Sequence, residues 1–134
     1  MKRPPDQATL GGSLRPRGPI QLAWSTRRTS EATVVTVVGE LDLLTARKLT
    51  PQLDDIVRRR SGDAVIDLSQ ADFVDSFGLT VLLSTQRRLA RQGRTLTVIC
   101  GEGPVRRAIE FARLLETLGV VATLEEYRLR RAGD

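Results

Sequence analysis

The stretch DAVIDLSQADFVDSFGLTVLL, residues 63–83, decides the fold. Ala64, Val65, Ile66 and Leu68 form a short apolar run, which reads as a core strand over 63–69. A polar connection, QADFVDSFG, follows. From Leu79 onward, Leu82, Leu83, Leu89 and Ala90 recur at helical spacing and predict a helix ending near Gly93. A core strand that runs within a few residues into an amphipathic helix is the unit of parallel sheets.

The same unit stands one step upstream. VVTVVGE, residues 34–40, is apolar on both faces and suits a central strand. LDLLTARKLTPQLDDIVRRR follows, with Ala46, Leu49, Leu53, Ile56 and Val57 at helical spacing. Pro51 lies inside that pattern, either as a first-turn proline of a late helix or as a kink. Arg58, Arg59 and Arg60 complement the helix dipole, and Gly62 stops the helix. Further out, IQLAWST (20–26) alternates as a half-exposed strand and pairs with 34–40 as a hairpin. TLTVIC (95–100) reads as a third core strand. Pro104 opens a third helix striped by Val105, Ala108, Ile109, Ala112 and Leu115. GVVATL (119–124) reads as a short last strand. The expected order is β-β-α-β-α-β-α-β, an α/β sandwich with one antiparallel strand.

Residues 1–18, rich in proline and glycine, read as a disordered basic tail. Residues 19–124 form the domain, and 125–134 a charged extension that frays. The net charge is +5, but the tail alone carries Lys2, Arg3, Arg15 and Arg17 against Asp6. The folded part is therefore nearly balanced. Trp24 and Tyr127 are isolated, so the basic face with stacking aromatics that nucleic-acid binding wants is missing, and no direct nucleic-acid partner is expected. No apolar run approaches the roughly 18 residues of a membrane span. Cys100 stands alone and reads as a small buried apolar side chain; one thiol and no export signal point to a reducing cytoplasm.

The sequence has no histidine, which excludes Ser-His triads and His-ligated zinc. It has no GxxxxGK[ST] loop, and GEGPVRR is too short for a dinucleotide-binding turn. Acidic pairs occur, Glu40 with Asp42 and Asp72 with Asp75, without the deep pocket that hydrolysis requires. The chain reads as a protein that is not an enzyme.

Two loops remain. If strands 34–39 and 64–68 are parallel neighbours, the turns after them share one edge of the sheet. Asp42, Asp75 and Ser76 then lie together. Asp75 or Ser76 simply caps the second helix, a contribution of about 1 kcal/mol, or Ser76 is there to be modified; capping by one does not exclude function. Gly78 is a poor helix former in the first turn, which implies a close approach to its backbone.

VVGELDLLTARKL and DLSQADFVDSFGLTVLLSTQRRL resemble the two hallmark segments of STAS domains, and more narrowly those of bacterial anti-sigma factor antagonists. The resemblance covers about residues 19–124. It implies a small mixed sheet with helices packed mainly on one face. It also implies that Ser76, directly after the aspartate of DSxGL, is phosphorylated by a partner anti-sigma factor that is a serine kinase using ATP. The chain itself would hold no cofactor and no metal. A serine phosphatase would reset it, and it would act as a monomer or weak dimer. Asp42 of the GELD turn would flank the phosphosite. The partner-binding residues implied are Asp42, Leu43, Leu44, Thr45, Asp75, Ser76, Phe77, Gly78 and Thr80. The sequence departs from the family pattern at Phe77, where a small or hydroxylated residue is usual. A ring there either bars a kinase cleft or anchors a particular partner. Two other functions stay open: a STAS subunit of a stress-sensing or transporter assembly that binds without phosphorylation, and a nucleotide-binding protein.

Overall fold

In a computed structural model, residues 9–12 and 22–133 are described, the first four as backbone only. Among these described residues five strands, β1 (Thr9–Gly12), β2 (Leu22–Arg28), β3 (Ala32–Leu41), β4 (Asp63–Val74) and β5 (Leu96–Ile99), form one sheet in sequence order. β1, β2 and β3 pair antiparallel, whereas β3, β4 and β5 pair parallel. Helices α1 (Leu43–Arg59), α2 (Ser76–Ala90) and α3 (Pro104–Phe111) follow β3, β4 and β5.

The mixed sheet and its crossovers agree with the α/β expectation. The main core lies between one sheet face and α1 to α3. Val35, Val37, Ala64, Ile66, Leu68 and Val98 meet Leu49, Leu53, Leu82, Leu89 and Ile109 there. Pro51 sits within α1 on its exposed side, where a carbonyl left without its helical donor can be hydrated. The C-terminus of α1 is closed from outside. The buried Arg94 guanidinium donates to the carbonyls of Ile56 (3.0 Å), Ser61 (2.9 Å) and Gly62 (2.6 Å).

Five sequence expectations change, the last of them at the C-terminal extension. Thr9–Gly12, placed in the disordered tail, form an edge strand on β2, because a ladder needs backbone groups and not apolar side chains; the rest of 1–18 lies outside the described residues. β4 runs on to Val74 instead of stopping at 69, through two register shifts against β3. Each shift adds one residue to β4, so its core-facing positions step from Leu68 to Ala71 to Val74 and the simple alternation is lost. The third helix stops at Phe111, where Arg113 turns left-handed and the Leu114 N–H bonds the Ile109 carbonyl. The last strand shrinks to a single bridge between Val121 and Ile99.

The expected fraying extension is instead helix α4 (Leu124–Gly133). The Thr123 hydroxyl accepts from the Glu126 N–H (3.0 Å), and the Glu126 carboxylate accepts from the Ala122 N–H (2.7 Å). Leu124 and Tyr127 then cover a second apolar cluster, Ala32, Val65, Ile99 and Val121, on the other sheet face. Arg131 fastens the helix to Asp63 at 2.7 Å.

Candidate functional site

β3 and β4 are adjacent and parallel, with Leu41 opposite Val74 at their C-terminal ends. The next residue in each chain segment is an aspartate, and each aspartate caps a helix. Asp42 Oδ1 accepts from the N–H groups of Leu44 and Thr45, both at 3.0 Å. The Thr45 hydroxyl accepts in return from the Asp42 N–H at 2.9 Å, completing a capping box. Asp75 Oδ1 accepts from the N–H groups of Phe77 (2.9 Å) and Gly78 (3.0 Å). The Thr45 N–H foremost, with the Thr45 hydroxyl and the Leu44 N–H, holds the Asp42 carboxyl below the usual carboxylate range.

The two turns touch. The Asp75 N–H donates to the Leu41 carbonyl at 3.2 Å. A Cβ at Gly78 would lie 2.4 Å from that same oxygen and 2.9 Å from Val74 Cγ2. Glycine therefore stands in the first turn of α2 because the β3 turn presses on its backbone, as the sequence implied.

Ser76 is the first residue of α2 and is exposed, whereas Asp75 is the cap. Among the described residues, the Ser76 hydroxyl has no hydrogen-bond partner; its carbonyl accepts from Thr80 Oγ1 at 2.8 Å. Thr80 lies one turn further on, also exposed. The two strand-to-helix segments carry four exposed apolar side chains: Leu44 (70%), Phe77 (51%), Phe73 (48%) and Leu43 (43%). Leu79 belongs to the core.

Two of the residues expected at a partner surface are buried. Thr45 is only 2% exposed, and its hydroxyl is used within the turn by the Asp42 N–H and the Glu40 carbonyl. Gly78 is buried under the Leu41 turn. Both shape the rim from within and neither is exposed on it. Phe73 was missed by sequence reasoning, because the two β4 bulges set which of Phe73 and Val74 points outward. The only sequence signal was an aromatic beside a β-branched residue at the end of a strand.

The rim carries the carboxylates Glu40, Asp42, Asp72 and Asp75, yet no three His, Cys, Asp or Glu side chains among the described residues are placed to hold a metal ion. Asp42 takes the N–H groups of Leu44 and Thr45, and Asp75 those of Phe77 and Gly78, so most first-turn donors of both helices are already used. No helix among the described residues is long and apolar enough to cross a membrane.

The STAS domain model matches residues 23–127. The chain belongs to the STAS domain family.

Within this family it stands with the anti-sigma factor antagonists. It is 31% identical over 93 residues to the anti-sigma-F factor antagonist RsfB of Mycobacterium tuberculosis, a match covering 69% of this chain and 75% of that protein. It is 28% identical over 88 residues to an anti-sigma F factor antagonist of Paenibacillus polymyxa, covering 65% of this chain and 75% of that one. A crystal structure of an anti-sigma factor antagonist from Mycobacterium paratuberculosis superposes with a TM-score of 0.73 at 26% identity, over 98% of this chain and 99% of that one. The STAS fold is shared more widely. Unphosphorylated SpoIIAA superposes with a TM-score of 0.63 at 17% identity, over 81% of this chain and 96% of that chain.

Proposed function

We propose that this STAS protein binds an anti-sigma factor through the rim around Ser76 and is released when that anti-sigma factor, acting as a serine kinase, phosphorylates Ser76. The observation that carries the proposal is the placement of Ser76. Its exposed hydroxyl is free of hydrogen bonds among the described residues, and the two strand-to-helix segments that meet there carry four exposed apolar side chains. Binding would free the sigma factor that the kinase otherwise holds.

In the transfer, Ser76 Oγ attacks the γ-phosphorus of ATP bound by the kinase. The β–γ P–O bond breaks, ADP leaves, and the hydroxyl proton passes to a base of the kinase. The chain contributes the hydroxyl and its position; the nucleotide belongs to the kinase. A serine phosphatase reverses the modification.

The product carries about −1.5 to −2 extra charges at neutral pH. The Phe77 and Gly78 N–H groups already serve Asp75, so a phosphate on the exposed Ser76 is held largely by solvent and leaves the fold intact. Docking then requires stripping water from a dianion beside Asp42 and Asp75. A loss of about 3 kcal/mol weakens binding on the order of 100-fold, enough for a switch.

The test is intact mass after incubation with the kinase and ATP. Wild type gains about 80 Da, one phosphoryl group, and Ser76→Ala gains nothing. No gain in wild type removes the switch.

One observation favours a second function. The exposed Phe77 ring lies directly after Ser76, and a STAS subunit that docks through that ring without being phosphorylated would use the same rim. Under it, Ser76→Asp leaves partner binding intact, whereas the switch requires the large loss above.

A further inference from the structure

The exposed face of α2 continues away from the rim in one stripe. Phe77, Thr80, Ser84, Arg87 and Arg91 are all exposed and recur at steps of three and four, so they share one side of the helix for about 20 Å. The apolar top of this stripe is the rim itself. Its lower end is cationic.

The arginines of this region are not equivalent. Arg88, between the other two, is committed: its Nη1 binds Asp54 Oδ1 of α1 at 2.6 Å. Arg87 and Arg91 have no carboxylate partner among the described residues. They are fixed on a rigid helix beside a shallow groove of about 210 Å³, lined by Thr80, Leu83, Ser84, Arg87, Arg88 and Arg91. Two guanidiniums without a carboxylate partner and the Ser84 hydroxyl suit a segment carrying carboxylates.

The stripe is also spaced to act independently of the phosphosite. Arg87 lies three turns along α2 from Ser76, roughly 16 Å on the helix axis. The screening length at physiological salt is about 8 Å. A phosphate on Ser76 is therefore not neutralised by Arg87 or Arg91, and these cations stay available to a partner in both states.

We infer that Arg87 and Arg91 form a second docking element on α2 for an acidic segment of the anti-sigma factor that the Ser76 rim engages. This rests on the proposed function for the identity of the partner. The rim supplies the switchable contact. The arginine stripe supplies electrostatic attraction that speeds encounter and fixes orientation.

The experiment measures association of the full-length chain with the purified anti-sigma factor kinases of its source organism, from about 50 to 300 mM salt, a range over which exposed charge pairs are progressively screened. Wild type, Arg87→Gln/Arg91→Gln, Arg107→Gln on α3 and Ser76→Asp are compared. The double variant is expected to bind roughly tenfold more weakly at low salt and to lose most of the salt dependence. Arg107→Gln, an exposed arginine on another helix, should match wild type.

Wild-type affinity and salt slope in the double variant overturn the inference. An equal loss in Arg107→Gln also overturns it and leaves general charge attraction. Self-association of wild type that the double variant abolishes assigns the groove to a second copy and overturns it too. If Ser76→Asp binds as wild type while the double variant weakens, the switch fails and the arginine element stands. The reverse pattern sinks the arginine element and keeps the switch. No binding by wild type to any of these kinases overturns both.

Discussion

The backbone N–H of Asp75 donates to the carbonyl of Leu41 at 3.2 Å, so the residue that caps α2 is bonded to the residue just before the cap of α1. This single bond, between the ends of two adjacent parallel strands, converts two separate strand-to-helix turns into one rigid rim. Ser76 stands on it with its hydroxyl outward.

Gly78 keeps the two turns in contact, and Gly78→Ala is expected to break that contact. The added methyl would meet the Leu41 carbonyl oxygen at 2.4 Å, a backbone atom that cannot rotate away. Overpacking of this kind costs roughly 2 kcal/mol or more. Urea unfolding should show a lower midpoint with an unchanged slope, and amide exchange should rise at Asp75.

Asp42 should make the fold sensitive to acid. Its folded-state carboxyl is held below its ordinary value, mainly by the Thr45 N–H. A depressed carboxyl contributes stability that is present above the unfolded value of about 3.9 and is lost as pH falls through the lower folded value. Asp42→Asn retains a capping oxygen but no titration, so its stability curve below about pH 4 should be flatter than that of wild type. Asp42→Ala should cost about 1 kcal/mol at neutral pH through loss of the cap. Thermal melts across the acid range check both.

Phe73 and Phe77 are about half exposed and contribute little to the core. Each change to alanine should alter stability by less than about 0.5 kcal/mol. Each should weaken the anti-sigma factor complex roughly tenfold, as aromatic anchors at interface centres do. Calorimetric titration paired with a melting curve separates the two effects. Unchanged binding in both variants would remove these side chains from the interface.

Arg94 is expected to be the most costly surface-adjacent arginine. It is buried and bonded to several carbonyls at the end of α1. Arg94→Ala leaves those acceptors without a donor and should destabilise by roughly 3 kcal/mol. Arg94→Lys should rescue little, because an ammonium lacks the planar fork that reaches them together. Denaturant midpoints of the two variants decide this.

The helix α4 was legible in part and was missed. Thr123, Leu124, Glu125 and Glu126 carry the hydroxyl-then-glutamate spacing of a helix start, and both side chains are used there. High charge made the segment read as fraying. The apolar part of its docking is Leu124 and Tyr127 meeting a cluster assembled from distant strands, and two apolar residues set no visible period.

By itself the sequence determined the strand–turn–helix unit, twice, because apolar runs and helical spacing are local; which residue caps each helix, Asp42 and Asp75, came from the structure. It likewise determined the parallel character of the central strands, since a helix-length crossover cannot join antiparallel neighbours tightly. Only the tertiary structure decided that Thr45 turns inward while Leu44 turns outward, that bulges in β4 send Phe73 to the surface, and that the reason for Gly78 is the Leu41 carbonyl. Each of these depends on atoms brought together from different segments of the chain. No local preference encodes where a neighbouring strand will place its oxygen.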